Sequence, residues 1–405
     1  MRKLLCAVCL LALLAGCADT PSPVSAVRSS STSAAEPADT GELMRFSPFN
    51  AQGYFSYFYN EAYPAAGTQL ARWDPRDMQM HIACSRSGCS HTNAECEAYA
   101  NEVFSLMVLP DAVYTLEYGE DGDGMSLVVR DADGTHPRVL NQVGMWIFRG
   151  ADDEYLYGFC DKAFGRVSRA DGSETYLTHD SLSEFVTDGY VAGVWQTAFV
   201  CVVCHSSDQI PARVCLLDRD GQITEVAQID PESLSSPYAV CDGEELYYLD
   251  ERNGRLTALR LSDASVRPVS DTLCTRMPDG LFDASSWSWS LLGGTLTAHL
   301  DAVFPEYSQH CAFVVNEDGS LSELPQRQQL RNFDPVRDAG YLLTRDQAQD
   351  PVEVLAEYDG QLMVQSALQF SDSGWVGNYA LTSVEDYLAG RENYREFSSA
   401  GGGLG

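Results

Sequence analysis

The sequence predicts an all-β fold, a seven-bladed β-propeller, on the strength of three observations. A unit of short strands joined by turns rich in Asp, Asn and Gly returns between residues 43 and 397. Its turns recur at roughly 40 to 57 residues, the spacing of propeller blades. Helical periodicity is confined to Ser383–Ala389, where Glu385 and Asp386 favour a first turn. A ring of six or eight blades and a two-domain β-sandwich are the alternative folds.

The repeating unit is clearest in Cys241–Pro268. Asn253-Gly254 tolerates positive φ and suits the first hairpin turn, and Arg255–Leu261 follows as a strand. A second turn at Ser262–Ser265 leads into another short strand. Because a few short strands cannot bury a face alone, we expect stacked copies of this unit.

Seven turns of the second kind occur along the chain, each after an apolar strand. They are Asp74–Asp77, Asp131–Gly134, Arg169–Gly172, Asp218–Gly221, Ser262–Ser265, Asn316–Gly319 and Glu357–Gly360. Seven segments precede them as candidate innermost strands: Met44–Ser47, Phe104–Leu109, Trp146–Arg149, Phe185–Ala192, Pro237–Cys241, Ser286–Leu291 and Asn332–Val336. The last blade would continue through Gly340–Thr344 and Pro351–Ala356. The agreement of these counts predicts seven blades.

The N-terminus predicts a lipoprotein. Residues 1–16 combine the basic Arg2 and Lys3 with an apolar core that is short for a transmembrane helix. Leu14-Ala15-Gly16-Cys17 matches a bacterial lipobox, so Cys17 is the expected lipidation site. A diacylglycerol, with or without N-acylation by palmitate, supplies at least two acyl chains, so we expect the protein to be anchored to the cell membrane on its extracytoplasmic face. Residues 17–42 are expected to be a disordered linker, and residues 398–405 a disordered tail.

The charge excludes one class of partner. The chain has 26 basic and 58 acidic residues, for a net charge of −32. Such a field repels phosphate backbones, so nucleic-acid binding is not expected. We expect a monomer whose acidity keeps an exported protein soluble.

One dense constellation predicts a metal site. Cys84, Cys89, His91 and Cys96 lie within a short stretch, in the expected connection between the first two blades. Thiolates and imidazole suit zinc in a closed structural site. Buried free thiols are one alternative. Disulfides are the other, because export favours them and the number of cysteines after Cys17 is even. In that case Cys204 and Cys215 would be close enough to pair across a hairpin.

The face that carries the blade-to-blade connections is the expected ligand face, since loops at one end of a propeller converge there. Its predicted loops supply carboxylates, imidazoles and aromatic rings. The candidates are Asp121, Asp123, His205, Asp301, Phe304, Glu306, Tyr307, His310 and Asp346.

Two stretches resemble a known family. The Cys-x4-Cys-x-His-x4-Cys pattern of Cys84–Cys96 and the segment Tyr379–Tyr387 are similar to those of largely uncharacterised β-propeller lipoproteins of Gram-positive anaerobes. The resemblance implies a propeller displayed at the cell surface, and it implies no particular activity.

The sequence contains no Gly-x-Ser-x-Gly elbow, no His-Glu-x-x-His and no phosphate-cradling Gly-rich loop. We therefore expect a surface-tethered protein that binds a protein or glycan partner through the face bearing the Cys84–Cys96 loop, without catalysis. A carbohydrate-active hydrolase or lyase and a structural scaffold of a surface complex are the alternatives.

Overall fold

The structure, a computed structural model, forms seven antiparallel sheets arranged as the blades of a ring. It describes residues 25–26, 41–59, 67–119, 124–161, 163–178, 189–204, 210–230, 239–250, 253–270, 286–303, 308–324, 352–366, 369–371, 374–376 and 378–398. The predicted seven-bladed propeller is confirmed. Across the described ranges, no helix has the length and apolar composition needed to span a membrane.

The first strands belong to the N-terminal segment and to blades one to three. Strand β1 is Ser25–Ala26. Blade one contains β2 (Phe49–Asn50), β3 (Gly53–Tyr59), β4 (Thr68–Asp74) and β5 (Gln79–Ile82), with β6 (Tyr99–Ala100) also paired to β4. Blade two contains β7 (Val103–Val108), β8 (Ala112–Tyr118), β9 (Met125–Asp131) and β10 (Arg138–Val143). Blade three contains β11 (Trp146–Ala151), β12 (Tyr155–Cys160), β13 (Ala163–Ser168) and β14 (Glu174–Tyr176).

The remaining strands form blades four to seven. Blade four contains β15 (Gly189–Trp195), β16 (Ala198–Val203), β17 (Ala212–Asp218) and β18 (Ile223–Ile229). Blade five contains β19 (Ala239–Cys241), β20 (Glu245–Asp250), β21 (Arg255–Arg260) and β22 (Val266–Ser270). Blade six contains β23 (Ser286–Leu292), β24 (Thr295–Val303), β25 (Ser308–Val315) and β26 (Leu321–Glu323). Blade seven contains β27 (Val352–Tyr358), β28 (Gln361–Ser366), β31 (Tyr379–Ser383) and β32 (Arg395–Glu396), and a hairpin of β29 (Gln369–Ser371) and β30 (Gly374–Val376) intervenes.

The first strand of each blade lies nearest the ring axis. First strands of neighbouring blades contact one another, as β15 contacts β19 and β2 contacts β27. The core lies between the blades, where buried side chains of adjacent sheets interdigitate. Trp146 and Leu156 of blade three, for example, share an apolar cluster with Leu116 and Leu127 of blade two. Burial of such clusters is the main force that holds the ring together.

Six of the seven predicted turns join the third strand of a blade to its fourth strand, as expected. Local chemistry explains why the pattern recurs. Asp133 Oδ1 accepts the backbone N–H of Thr135 at 3.0 Å, and Asp318 Oδ1 accepts that of Ser320 at 2.9 Å. Gly134 and Gly319 supply the positive φ that closes these turns, at 84° and 79°.

The seventh repeat and the first inner strand were predicted wrongly. Glu357–Gly360 joins the first and second strands of blade seven, since the predicted third strand Pro351–Ala356 coincides with β27, the innermost one. The predicted Asn332–Val336 and Gly340–Thr344 lie outside the described residues. In blade one the inner strand is β2, whereas Met44 pairs with Ala151 of blade three.

The ring closes between blade seven and blade one through aromatic packing. The rings of Trp73 in blade one and Tyr379 in blade seven lie 4.7 Å apart between centroids, and Phe49 approaches Tyr358 at 5.7 Å. These residues belong to one apolar cluster with the fully buried Met363. Aromatic side chains bury a large area each, so this cluster is well suited to hold the first and last blades together.

The predicted helix is confirmed as α1 (Val384–Leu388), with Ser383 as its N-cap. The Ser383 hydroxyl oxygen accepts the backbone N–H of Asp386 at 3.0 Å. Two short pairings lie within the segments that were predicted to be the disordered linker and the disordered tail. Ser25–Ala26, assigned to the disordered linker, pairs with β18, and Ser398, assigned to the disordered tail, pairs with blade one. Backbone groups at both sites find partners in neighbouring strands.

Candidate metal centre

The cysteine-rich loop interrupts the outermost edge of blade one. Strand β5 pairs with residues 71–74 of β4, and β6 pairs with residues 68–69 of the same strand. Between them, Leu70 holds both ends of the loop: its carbonyl oxygen accepts the N–H of Ala83 at 3.0 Å, and its N–H donates to the carbonyl oxygen of Ala98 at 2.8 Å. The segment 83–98 is therefore a compact Ω-type loop with a closed base.

The loop does not lie where the sequence analysis placed it. We expected it in the connection between blades, on the face that binds a partner. It leaves the middle of a fourth strand instead, so it lies on the outer rim of the ring. A binding face can no longer be defined by this loop.

The loop brings together the four predicted ligands. One ligand atom each from Cys84, Cys89, His91 and Cys96 lies within 4.8 Å of all the others. His91 Nδ1 and Cys96 Sγ are 3.2 Å apart. Two residues have positive φ, Gly88 at 74° and His91 at 55°, and these turns let the loop curl around the cluster. His91 is a non-glycine residue in this region, which indicates that the surrounding contacts hold it there.

The cluster has a buried side and an open side. Cys96 is only 4% exposed and packs with Phe55 and Leu70 of blade one and with Val108 and Val113 of blade two. Cys84, Cys89 and His91 are half-buried. The loop itself contributes few apolar side chains, so its interior consists mainly of the ligand groups.

The protein environment shifts the pKa values of the Cys89 and Cys96 thiols in opposite directions. A hydrogen bond from the His91 backbone lowers the pKa of the Cys89 thiol, although burial acts in the opposite direction. Burial, together with the neighbouring Cys84, raises the pKa of the Cys96 thiol to about 12. The loop thus offers one readily ionised thiol and one that stays protonated unless a nearby positive charge stabilises its thiolate.

Polar contacts outside the cluster fix the loop to the rest of the blade and to blade two. Gln69 Nε2 donates to the carbonyl oxygen of His91 at 3.0 Å. Glu97 accepts both the N–H and the hydroxyl of Ser85, at 2.8 and 2.9 Å. On blade two, Arg130 Nη1 donates to the Glu97 carbonyl oxygen at 2.5 Å, and His136 Nε2 lies 3.0 Å from the Ser85 hydroxyl. Such contacts preorganise a metal site because they orient the ligand-bearing backbone.

The donor set of the cluster suits a metal ion. Cys84, Cys89 and Cys96 are free thiols. With zinc–sulfur bonds of about 2.3 Å, the ligand atoms of a tetrahedral site lie about 3.5–3.8 Å apart, so a small contraction of the cluster would enclose an ion. The cluster could therefore hold a metal ion with three sulfur ligands and one nitrogen ligand.

The predicted pairing of Cys204 with Cys215 is wrong. In the register of β16 and β17, the residue opposite Cys215 is Cys201. Both of these thiols are free and buried in one apolar cluster. Burial raises the pKa of each, that of Cys215 to about 12, which suits a small core residue and not a reactive thiol.

The predicted ligand-face residues are mostly outside the described residues, as is Cys17. Those outside are Asp121, Asp123, His205, Phe304, Glu306, Tyr307 and Asp346. Asp301 and His310 are described by their backbone, and they lie opposite each other in the register of β24 and β25.

A second group of potential ligands was not predicted from the sequence. Asp74, Asp77 and His81 offer ligand atoms within 4.8 Å of one another at the turn after β4. Their contacts are already made within the protein, because Arg76 Nε donates to Asp74 at 2.8 Å and His81 lies 2.7 Å from Asp77. The Asp-x-x-Asp-x-x-x-His spacing was the available signal, and the structure explains it as a charged turn.

The comparisons with known proteins concern the fold. No protein-family model matches the sequence, and no curated protein matches it either. Among solved structures, the GH74 xyloglucanase from Xanthomonas campestris aligns with a TM-score of 0.47 and 11% identity, over 90% of this chain and 54% of that chain. This chain thus spans about half of the xyloglucanase.

Two further solved structures are similar over most of both chains. The oligogalacturonate lyase from Vibrio parahaemolyticus has a TM-score of 0.44 and 8% identity, with 90% of this chain and 88% of that chain covered. The β-propeller domain of the Trilobed protease from Pyrococcus furiosus has a TM-score of 0.44 and 9% identity, with 86% and 97% covered. At such identities the likeness concerns the fold alone.

Proposed function

We propose that this chain is a lipid-anchored, extracytoplasmic β-propeller that binds a protein or glycan partner without catalysis. The observation that carries the proposal is the seven-bladed ring joined to an N-terminal lipobox at Leu14–Cys17. Propeller rings gather loops from every blade at each end of a channel, which makes them suitable binding platforms. The sequence lacks the catalytic signatures named above, which favours binding over chemistry.

We further propose that the ion of the Cys84–Cys96 cluster is zinc and that its role is structural. Three thiols and one imidazole complete a tetrahedral shell, so no position is left for a reacting water. Two features support this role. The bonds of Leu70 close the base of the loop, and the loop has few apolar side chains with which to stabilise its own fold. Zinc would take the place of a hydrophobic core in this loop.

The anchor is tested by expressing the full chain and its Cys17→Ala variant in a bacterium that processes lipoproteins. We expect the wild-type protein in the membrane fraction with a covalent diacylglycerol, detected by mass spectrometry. The variant should lose the lipid. A wild-type protein that is exported without the lipid would contradict the anchor.

The binding function is tested on the purified propeller with a glycan array and a polysaccharide cleavage screen in parallel. We expect saturable binding to a defined glycan, or to a surface protein captured by crosslinking, with no new reducing ends or unsaturated products. Turnover of any polysaccharide would replace the binding function with a hydrolase or lyase.

A further inference from the structure

The segment 41–47, which we name the axial strap, lies against the innermost strands of blades three and four. Met44 exchanges two backbone hydrogen bonds with Ala151 at the end of β11, at 2.7 and 2.9 Å. Leu43 is buried in the cluster between blades three and four, beside Phe199. Because first strands surround the ring axis, the strap lies at the axial side of blades three and four, where Arg45 is exposed.

Two β-bulges shape the channel wall beside the strap. Arg149 is the extra residue in β11, between Phe148 and Gly150, and Ala192 is the extra residue in β15. A bulge redirects a side chain and leaves backbone groups outside the ladder. The carbonyl oxygen of Ala192 accepts a long hydrogen bond of 3.4 Å from Arg45 Nη1 of the strap.

The bulge in β11 turns Arg149 toward the channel. Its two neighbours in β11 are buried, whereas Arg149 is exposed. Both faces of blade three pack against adjacent blades, so an exposed side chain on its first strand reaches solvent through the channel or its mouth. The strap and the two bulges therefore direct Arg45 and Arg149 to the same part of the axis.

Among the residues that the structure describes, neither guanidinium has a carboxylate partner. Within the residues that the structure describes, no ion pair involves Arg45 or Arg149. Other enclosed arginines do have one: Arg130 lies 3.7 Å from Glu117, and Arg219 lies 3.3 Å from Asp152. An unneutralised pair of cations is unusual in a chain with 58 acidic and 26 basic residues.

Electrostatics agrees with this geometry. Burial lowers the pKa of Arg45, and the like charge of Arg149 lowers it as well, whereas the Cys241 thiol acts in the opposite direction. Burial also lowers the pKa of Arg149. Both side chains keep solvent-accessible area, yet protein atoms partly surround them. Arginine stays protonated at neutral pH, so the two positive charges are held near each other.

We propose that Arg45 and Arg149 form an oxyanion-binding site in the axial channel. Guanidinium groups bind carboxylate and phosphate oxygens through short, charge-assisted hydrogen bonds, often two at a time. A sugar carboxylate and free inorganic phosphate share this chemistry. The site includes no residue of the metal centre or of the lipid anchor, so this proposal can be tested independently of both.

Isothermal titration calorimetry on the full chain tests the site, with inorganic phosphate, glucuronate and uncharged glucose at constant ionic strength. The variants are Arg45→Gln, Arg149→Gln and the double variant, with Arg138→Gln as a control for an exposed arginine on the outer strand β10. Circular dichroism checks the fold of each. Arg149→Gln is the decisive single variant, since the side chain of Arg149, unlike that of Arg45, makes no hydrogen bond in the described structure.

We expect wild type and Arg138→Gln to bind at least one oxyanion and not glucose. Loss of one charged donor should weaken the affinity by about 10- to 100-fold. Saturation by glucuronate alone assigns a sugar carboxylate as the ligand, and saturation by phosphate alone assigns a free phosphate. Failure of both anions to saturate the wild type, or equal affinity in a folded Arg149→Gln variant, overturns the proposal.

Discussion

The backbone N–H of Ser398 donates to the carbonyl oxygen of Met78 at 2.9 Å, so the last described residue of the chain is bonded to the first blade. A second bond returns from the N–H of Met80 to the carbonyl oxygen of Ser398 at 3.4 Å. All four strands of blade seven come from the C-terminal part of the chain. The closure therefore depends on side-chain packing between blades and on this short backbone bridge.

Replacement of Ser398 by proline should weaken the closure. Proline removes the N–H that donates to Met78, and we expect the free energy of unfolding to fall by about 1 kcal/mol. Ser398→Ala keeps the N–H and removes the hydroxyl, which makes only a longer bond of 3.3 Å to the same Met78 carbonyl oxygen, so it is the matched control. Urea unfolding measures both. Equal stability of the two variants would mean that the bridge contributes nothing to closure.

Removal of the metal should expose the rim loop to protease. Arg86 lies in the loop and is exposed, so trypsin can cut after it once the loop opens. We expect a strong zinc chelator to accelerate cleavage after Arg86 and added zinc to restore protection. Cleavage at exposed Arg138, which lies in a strand, serves as the internal reference. Cleavage after Arg86 at the same rate with and without chelator would argue against a stabilising ion.

Gly134 should not tolerate a larger residue. A Cβ atom there would lie 2.9 Å from Phe55 and 3.1 Å from Ala83 and Leu70, at a φ of 84°. Gly360 has a similar φ of 69° but nothing within 4 Å, so Gly360→Ala measures the backbone strain alone. Gly134→Ala should be less stable than Gly360→Ala by about 1–3 kcal/mol in urea unfolding, because the core must shift. Similar losses would show that the core at the base of the loop is loosely packed.

The turns of this fold could be predicted from sequence because their chemistry is local. An Asp that accepts a backbone N–H two residues on, followed by a Gly with positive φ, is encoded within a few residues. Asp359-Gly360 is also an Asp-Gly pair with positive φ at the glycine, 69°, yet it closes a two-residue hairpin between the first and second strands of blade seven. Local chemistry does not report which strand pair a turn serves.

The candidate sites, too, could be predicted from the sequence only where their residues are close together in the chain. The four candidate metal ligands lie close together in sequence, so their spacing alone predicted the cluster. The rim position of the loop depends on Leu70, whose bonds to Ala83 and Ala98 split a strand, and sequence periodicity does not reveal such a split. The bulges at Arg149 and Ala192 arise from pairing with a partner strand. Because this pairing is not visible in the sequence, the channel arginines could not be predicted from it.

Acid should remove the stabilisation due to Glu245. Hydrogen bonding from Arg267 lowers the pKa of this buried carboxyl against the effect of burial, and Arg267 Nη2 lies 2.5 Å away. A depressed folded-state pKa means that the contribution is present above the unfolded value of about 4.3 and is lost as the pH falls through the lower folded value.

We therefore expect Glu245→Gln to lose about 1 kcal/mol at pH 7, a modest value because Arg267 is half exposed, and to approach wild type below about pH 4. Exposed Glu323, replaced in the same way, is the control. Denaturant melts at several pH values measure this difference. A difference that stays constant from pH 7 to pH 3 would exclude the proposed linkage.

Metal content measured together with free thiols tests the zinc centre most directly. Protein purified without added metal should contain one zinc per chain by plasma mass spectrometry, and its cluster thiols should react only after chelation or denaturation. Cys89→Ser should lose the zinc, and Cys160→Ala, which removes a buried thiol outside the cluster, should keep it. A wild-type protein free of zinc, with disulfides among Cys84, Cys89 and Cys96, would contradict the account.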